Sequence, residues 1–191
     1  SNPDVCLILK TYSGKASDDE DSLDEKTMFK EVIRHLTSQL SHYTMNYAPK
    51  YKIIVINDLL TKKEINSIYK ASDAFVLPTR GEGFCLPAVE SLNYEKPVIL
   101  PDIGGHLDYL PKDNPYAIES RMEYVERYKH PLWSSIYSLW VDPSTKSLRE
   151  KIRLAYNDRD LLKETGKKQA SFMKKHLSKE RCVNLFKEVL L

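Results

Sequence analysis

The chain has 191 residues, 41% of them apolar and 29% charged, a balance that excludes a disordered polymer and leaves enough material for a substantial core. Lys and Arg total 29 against 27 for Asp and Glu, a net charge of +2, too even to argue for a nucleic-acid partner. Three cysteines (Cys6, Cys85, Cys182) without metal or redox spacing, and no apolar run of membrane-spanning length, point to a reducing, cytoplasmic setting.

Val5–Leu9 predicts a buried strand ending at Lys10. Residues 14–26 read as an acidic surface loop, in which Asp18 and Asp21 are solvated rather than cation-binding. Ser22 and Glu25 have capping-box spacing and open a helix with Phe29, Val32, Ile33, Leu36, Leu40 and Tyr43 on its buried face. His35 and His42 lie on its surface, and Pro49 closes it. A second buried strand follows over Tyr51–Ile56, then a short amphipathic helix capped by Thr61 and Glu64 and carrying Ile65, Ile68 and Tyr69 inward.

Residues 73–105 carry the densest signal. Asp73–Pro78 predicts a strand, Gly81 and Gly83 a turn to which another group can come close, and Pro87 the first turn of a helix. Glu90 falls about one turn into that helix, where it can point toward the same crevice as Glu82. Pro97–Leu100 predicts the next strand and Gly104-Gly105 a second turn. A strand, a tight turn and an open helix start suit an anion, and two carboxylates beside it suit sugar hydroxyls.

Further on, His106–Leu110 predicts a short helix stopped by Pro111, and Tyr116–Ile118 a brief strand. Residues 119–140 show no clean period. Asp142-Pro143 reads as an N-cap and first helical residue, followed by a stripe of Leu148, Ile152, Ala155 and Tyr156. Leu161, Leu162, Phe172 and Met173 fit a helix broken or bent near Gly166. Cys182, Leu185, Phe186, Val189 and Leu190 recur at helical spacing in a last one. Strands alternating with helices imply an α/β, Rossmann-like, doubly wound parallel sheet with helices on both faces. Ligands of such sheets sit at the carboxyl ends of the strands. Here those ends are Asn57-Asp58, Thr79–Cys85 and Asp102–Gly105, expected to converge on one crevice.

EGFCLPAVE, with seven residues between Glu82 and Glu90, resembles the paired-glutamate signature of retaining glycosyltransferases of family 4, the GT-B type. The flanks YKASDAFVLPTRGEGF and KPVILPDIGGHLDYL agree, and the resemblance covers roughly residues 51–111. It implies the C-terminal, nucleotide-sugar-binding domain of a GT-B enzyme across residues 1–191, with a first strand and an acceptor domain expected upstream. The implied substrate is a UDP- or GDP-linked sugar, transferred with retention and with neither metal nor cofactor; no Asp-x-Asp motif stands near a strand end. The implied catalytic residue is Glu82, accepting hydrogen bonds from the transferred sugar. The main chain at Gly83, Phe84, Cys85 and Leu86 would face the diphosphate, Glu90 the ribose, Asn57 and Leu60 the nucleobase, and Gly104 and Gly105 would leave room for the phosphates. The acceptor, a carbohydrate or lipid, would be held by the other domain, through which any membrane contact would also run. Alone, these residues are expected to bind donor weakly and turn it over poorly.

Several residues keep two readings. Arg80 is a phosphate contact or a solvated turn residue, and Cys85 a packing residue whose thiol a helix start would acidify. His106 either donates to a phosphate or sugar or caps a helix, and Asp108 is a ligand-side acid or a first-turn dipole partner. Trp133 and Trp140 touch an acceptor or pack in the core. Two alternatives to the transferase remain: a non-catalytic nucleotide-binding or interaction module of the same ancestry, and another GT-B enzyme such as a nucleotide-sugar epimerase. A phosphorylase would need a cofactor-bearing lysine, for which Lys96 is poorly placed.

Overall fold

The computed structural model describes residues 5–10, 52–56, 58–124 and 139–190. The chain divides into two compact units, Ser1–Thr61 and Lys62–Leu191. In the first, β1 (Cys6–Lys10) pairs in parallel with β2 (Lys52–Ile56), in a register running from Cys6 opposite Lys52 to Lys10 opposite Ile56. Both are where the apolar runs place them, but neither is buried as expected: Cys6 and Leu7 are exposed and Ile53, Ile54, Val55 and Ile56 are half-buried. The acidic loop, the helix expected after Ser22, His35, His42 and Pro49 lie outside the described residues.

The second unit opens with α1 (Lys62–Ala71) and β3 (Phe75–Val76). Helix α2 (Leu86–Leu92) and β4 (Val98–Ile99) follow. Strands β3 and β4 are parallel: Phe75 N donates to Pro97 O at 3.0 Å and Leu77 N to Ile99 O at 3.1 Å. On the far side of β4, Ile118 N donates to Leu100 O at 2.8 Å and Asp102 N to Ile118 O at 2.9 Å, a third parallel segment reduced to one bridge. Parallel pairing is thus found for β1–β2, for β3–β4 and at the Pro101–Ile118 bridge. Among the described residues, however, the strands form three two-stranded pairs, and no doubly wound sheet is seen. The reason is local: β3 and β4 are two residues long, so few rungs are available.

Side-chain alternation along these short strands still builds two cores. Val98 and Leu100 face Cys85, Ala88, Leu92, Tyr109, Leu110 and Met173, with Phe75 and Leu77 packed alongside. Ile99 faces the other way, toward Tyr116, Ile118, Ala155 and Leu162, with Ala74 and Val76. Both faces of the β3–β4 pair are therefore covered, which explains why the strands read as continuous apolar runs rather than alternating ones. The Val98 N–H, turned away from β3, bonds Gln169 Oε1 at 2.9 Å, while Gln169 Nε2 donates to Asn114 Oδ1 at 2.9 Å. A fully buried glutamine thus stands where a further strand would supply partners.

A 3₁₀ turn covers Gly105–Tyr109. It is followed by β5 (Ser120–Tyr124) and β6 (Leu139–Pro143), an antiparallel pair with Ser120 opposite Pro143. This pair lies where the sequence showed no period. Three helices complete the unit: α3 (Thr145–Asn157), α4 (Arg159–His176) and α5 (Lys179–Leu190). Asp142 and Pro143 end β6 rather than opening α3; Ser144 is the N-cap, its hydroxyl accepting from Ser147 N. Helix α4 runs unbroken through Gly166. A Cβ on Gly166 would stand 2.1 Å from Glu95 O, so this glycine marks a close approach to the turn after α2 and not a bend. The stripe expected on α5 is open: Cys182, Leu185, Phe186 and Leu190 are all exposed. Among the described residues no helix is long and apolar enough to cross a membrane.

Candidate functional site

The carboxyl ends of β3 and β4 lie side by side, and the two glycine-bearing turns that leave them touch. Gly105 N donates to Glu82 O at 3.2 Å. A Cβ on Gly105 would fall 1.8 Å from Gly83 O, so only glycine permits this approach. Gly104 adopts φ 142°, a conformation that side chains resist. The Asp102–Gly105 and Thr79–Cys85 ends therefore meet as the sequence implied. Asn57 lies outside the described residues, and Leu60, half-buried, belongs to the first unit.

Further contacts hold the first turn. Thr79 Oγ1 accepts from Gly81 N at 3.2 Å. The Tyr109 hydroxyl donates to Phe84 O at 2.6 Å and also lies 3.2 Å from Cys85 O, while its ring packs 5.2 Å from that of Phe84. Val141 N, from β6, donates to Arg80 O at 2.9 Å. The Arg80 guanidinium bonds Asp142 Oδ1 at 3.2 Å, and the same carboxylate receives Arg121 at 3.1 Å. Neither reading of Arg80 foresaw this: it joins the β5–β6 pair to the turn that carries Glu82.

The turn's positive-φ residue is not a glycine. Cys85 has φ 62° and ψ 66°, and it caps α2 through its carbonyl, which accepts from Ala88 N at 3.0 Å. Its side chain is buried against Ala88, Leu92 and Tyr109. Burial, with a smaller push from Glu82, drives its thiol pKa up in spite of the bond from Ala88 N. The expected acidification by the helix start is thus overturned, and the packing reading of Cys85 stands. Gly81 and Gly83, by contrast, would have nothing within 4 Å of an added Cβ. The space over them is open.

Glu82 is half-buried and Glu90 exposed on α2. The Glu90 carboxylate accepts a 3.0 Å hydrogen bond from Tyr69 of α1. Phe84 and Leu86 are 41% and 67% exposed, large apolar side chains left at the lip of the turn. Among the described residues the N–H groups of Phe84, Cys85 and Leu86 have no acceptor. His106 is fully buried: its Nε2 bonds Pro101 O at 2.7 Å, and among the described residues its Nδ1 has no hydrogen-bond partner. Asp108 is an exposed acid in the first turn of the 3₁₀ segment, as its dipole reading has it. Trp140 is half-buried on β6, while Trp133 lies outside the described residues. Among the described residues no three His, Cys, Asp or Glu side chains stand close enough to hold a metal.

The arrangement brings main-chain N–H donors, clear space over two glycines and Glu82 to the ends of two parallel strands, with Glu90 on the helix that follows. Tyr69, Tyr109 and Asp142 were missed as contributors, since each acts through a partner distant in sequence. Comparison with known proteins points the same way. Residues 35–172 match the family described as Glycosyl transferases group 1. No curated protein matches the chain. The family match spans well over half of the chain and includes the whole of the site, so this chain belongs to the glycosyl transferases group 1 family, with the Rossmann-like GT-B fold that membership carries.

Proposed function

We propose that the turn Arg80–Leu86, the start of α2 and the Gly104-Gly105 turn form the donor site of a retaining glycosyltransferase that takes a UDP- or GDP-linked sugar. The observation that carries the reading is the pairing of unclaimed N–H groups at Phe84, Cys85 and Leu86 with empty space over Gly81 and Gly83. Main-chain donors of this kind are suited to a diphosphate.

The chemistry follows from charge. When the bond between the sugar and the diphosphate breaks, negative charge builds on the departing phosphate oxygen. Fixed N–H dipoles aimed at that charge stabilise it without reorganising, at a step where one such donor is worth about 100-fold or more in rate. The reaction then needs neither a metal nor another cofactor. Glu82 accepts hydrogen bonds from hydroxyls of the transferred sugar and orients it, and Glu90 receives the ribose hydroxyls. An acceptor carbohydrate or lipid approaches from another domain. Gly105 seats the turn by bonding Glu82 O. Arg80 serves the site through Asp142 and Val141.

A thermal-shift screen of UDP, GDP, ADP and their sugar conjugates tests the reading. One nucleoside diphosphate should raise the melting temperature, by the few degrees expected of a ligand present well above its Kd. A flat response to all of them at millimolar concentration would refute it.

A further inference from the structure

Helix α1 supplies a side chain to this site that neither the paired-glutamate pattern nor the family match assigns. Tyr69 lies 21 positions before Glu90, and its hydroxyl donates to Glu90 Oε2 at 3.0 Å. Among the described residues nothing donates to Oε1, so one oxygen is held while the other stays open. The Tyr69 ring is itself pinned. It meets Phe75 of β3 edge-on at 6.4 Å and stacks on Tyr94, just beyond α2, at 6.3 Å and 19°. Lys70 stands 5.5 Å over the Tyr94 ring on the side chain's other neighbour. An exposed glutamate on a seven-residue helix would otherwise sample many rotamers.

We infer that Tyr69 is a positioning residue: it fixes the Glu90 carboxylate so that the free oxygen receives a ribose hydroxyl of the nucleotide. The inference rests on the proposed donor site. Burial first, and then the bond and charge of Glu90, push the Tyr69 pKa up, so the hydroxyl stays a donor throughout the neutral range. Immobilising a glutamate beforehand removes an ordering cost from ligand binding, worth roughly 2- to 10-fold in affinity.

The test is calorimetric titration with UDP, GDP and ADP, each beside its 2′,3′-dideoxy form, on the wild type, Tyr69→Phe and Glu90→Ala. Phenylalanine keeps the ring contacts with Phe75 and Tyr94, so the fold is retained. The wild type should prefer one ribonucleotide to its dideoxy form. Tyr69→Phe should weaken that ribonucleotide by roughly 2- to 10-fold and leave the dideoxy form unchanged, and Glu90→Ala should abolish the preference. A Tyr69→Phe loss equal for both forms, or none while Glu90→Ala still acts, would overturn the positioning role and spare the donor site. A preference that survives Glu90→Ala would overturn the positioning role and the Glu90–ribose contact, and no binding by any nucleotide would overturn the donor site as well.

Discussion

Gly105 and Gly83 face each other across the two turns, and they separate packing from binding. In Gly105→Ala the new Cβ would sit 1.8 Å from Gly83 O and 2.8 Å from Gly83 C. Both atoms are main chain, so no rotamer change relieves the clash, and the turns must part by about 1.5 Å to reach ordinary contact. Overpacking of this kind costs about 1–3 kcal/mol. Losing the Gly105 N to Glu82 O bond adds about 0.5–1.5 kcal/mol. The sum, about 2–4 kcal/mol, lowers the melting temperature by roughly 4–16 °C for a domain of this size. Gly83→Ala is the control: its Cβ meets nothing within 4 Å and its φ lies outside the positive range, so stability should hold to within about 0.5 kcal/mol. On the donor-site reading that methyl enters the volume a diphosphate needs, and nucleotide affinity falls. Calorimetric melts with nucleotide titrations on both variants measure the two effects. If Gly105→Ala melts with the wild type, or Gly83→Ala loses stability to the same degree, the contact between the turns is wrong.

Other outcomes follow from the same geometry. Gly166→Ala gains up to about 1 kcal/mol of helix propensity. It also drives a methyl to 2.1 Å from Glu95 O and 2.9 Å from Pro97 Cδ, so urea melts should show a net loss of about 1–2 kcal/mol. Cys85 is buried with its thiol pKa raised, while Cys6 and Cys182 are exposed; mass spectrometry after iodoacetamide should find the latter two alkylated in the native protein and Cys85 only in denaturant. Burial raises the pKa values of Tyr109 and Tyr116 as well. A raised folded-state pKa gives stability that is complete below the unfolded value and lost as pH climbs beyond it. Stability should therefore be level near neutrality and fall above about pH 9–10, by about 1.4 kcal/mol per pH unit for each such buried group; a denaturation midpoint unchanged at pH 11 would contradict this.

The stretch from Asp73 to Gly105 was legible because its signals are local. An apolar run between prolines, a Pro at a helix start and paired glycines each act within a few residues, and β3, α2, β4 and the second turn lie where those signals put them. What escaped depends on partners far along the chain. The β5–β6 pair joins strands more than a dozen residues apart, and SRMEY exposes too much of itself to show an alternating pattern. At Gly166 a propensity rule met a tertiary one: a mid-helix glycine suggests a break, but here it admits Glu95. At Asp142-Pro143 a local cap pattern misplaced the helix start: Ser144 took the cap while Asp142 took two arginines. Periodicity placed Tyr69 on the apolar stripe of its helix, where it is half-buried, but carried no information about its hydroxyl. In the first turn the left-handed residue is Cys85 and neither Gly81 nor Gly83, and its burial in the Ala88–Leu92–Tyr109 cluster offsets the strain.

The two acids can be separated by comparing a nucleoside diphosphate with its sugar conjugate. Titrated into the wild type, the conjugate should bind more tightly than the bare diphosphate. Glu82→Ala should erase that difference and leave diphosphate affinity intact, whereas Glu90→Ala should weaken both alike. Wild-type affinities in both variants would mean that the carboxylates flank an empty turn, and that the donor lies elsewhere.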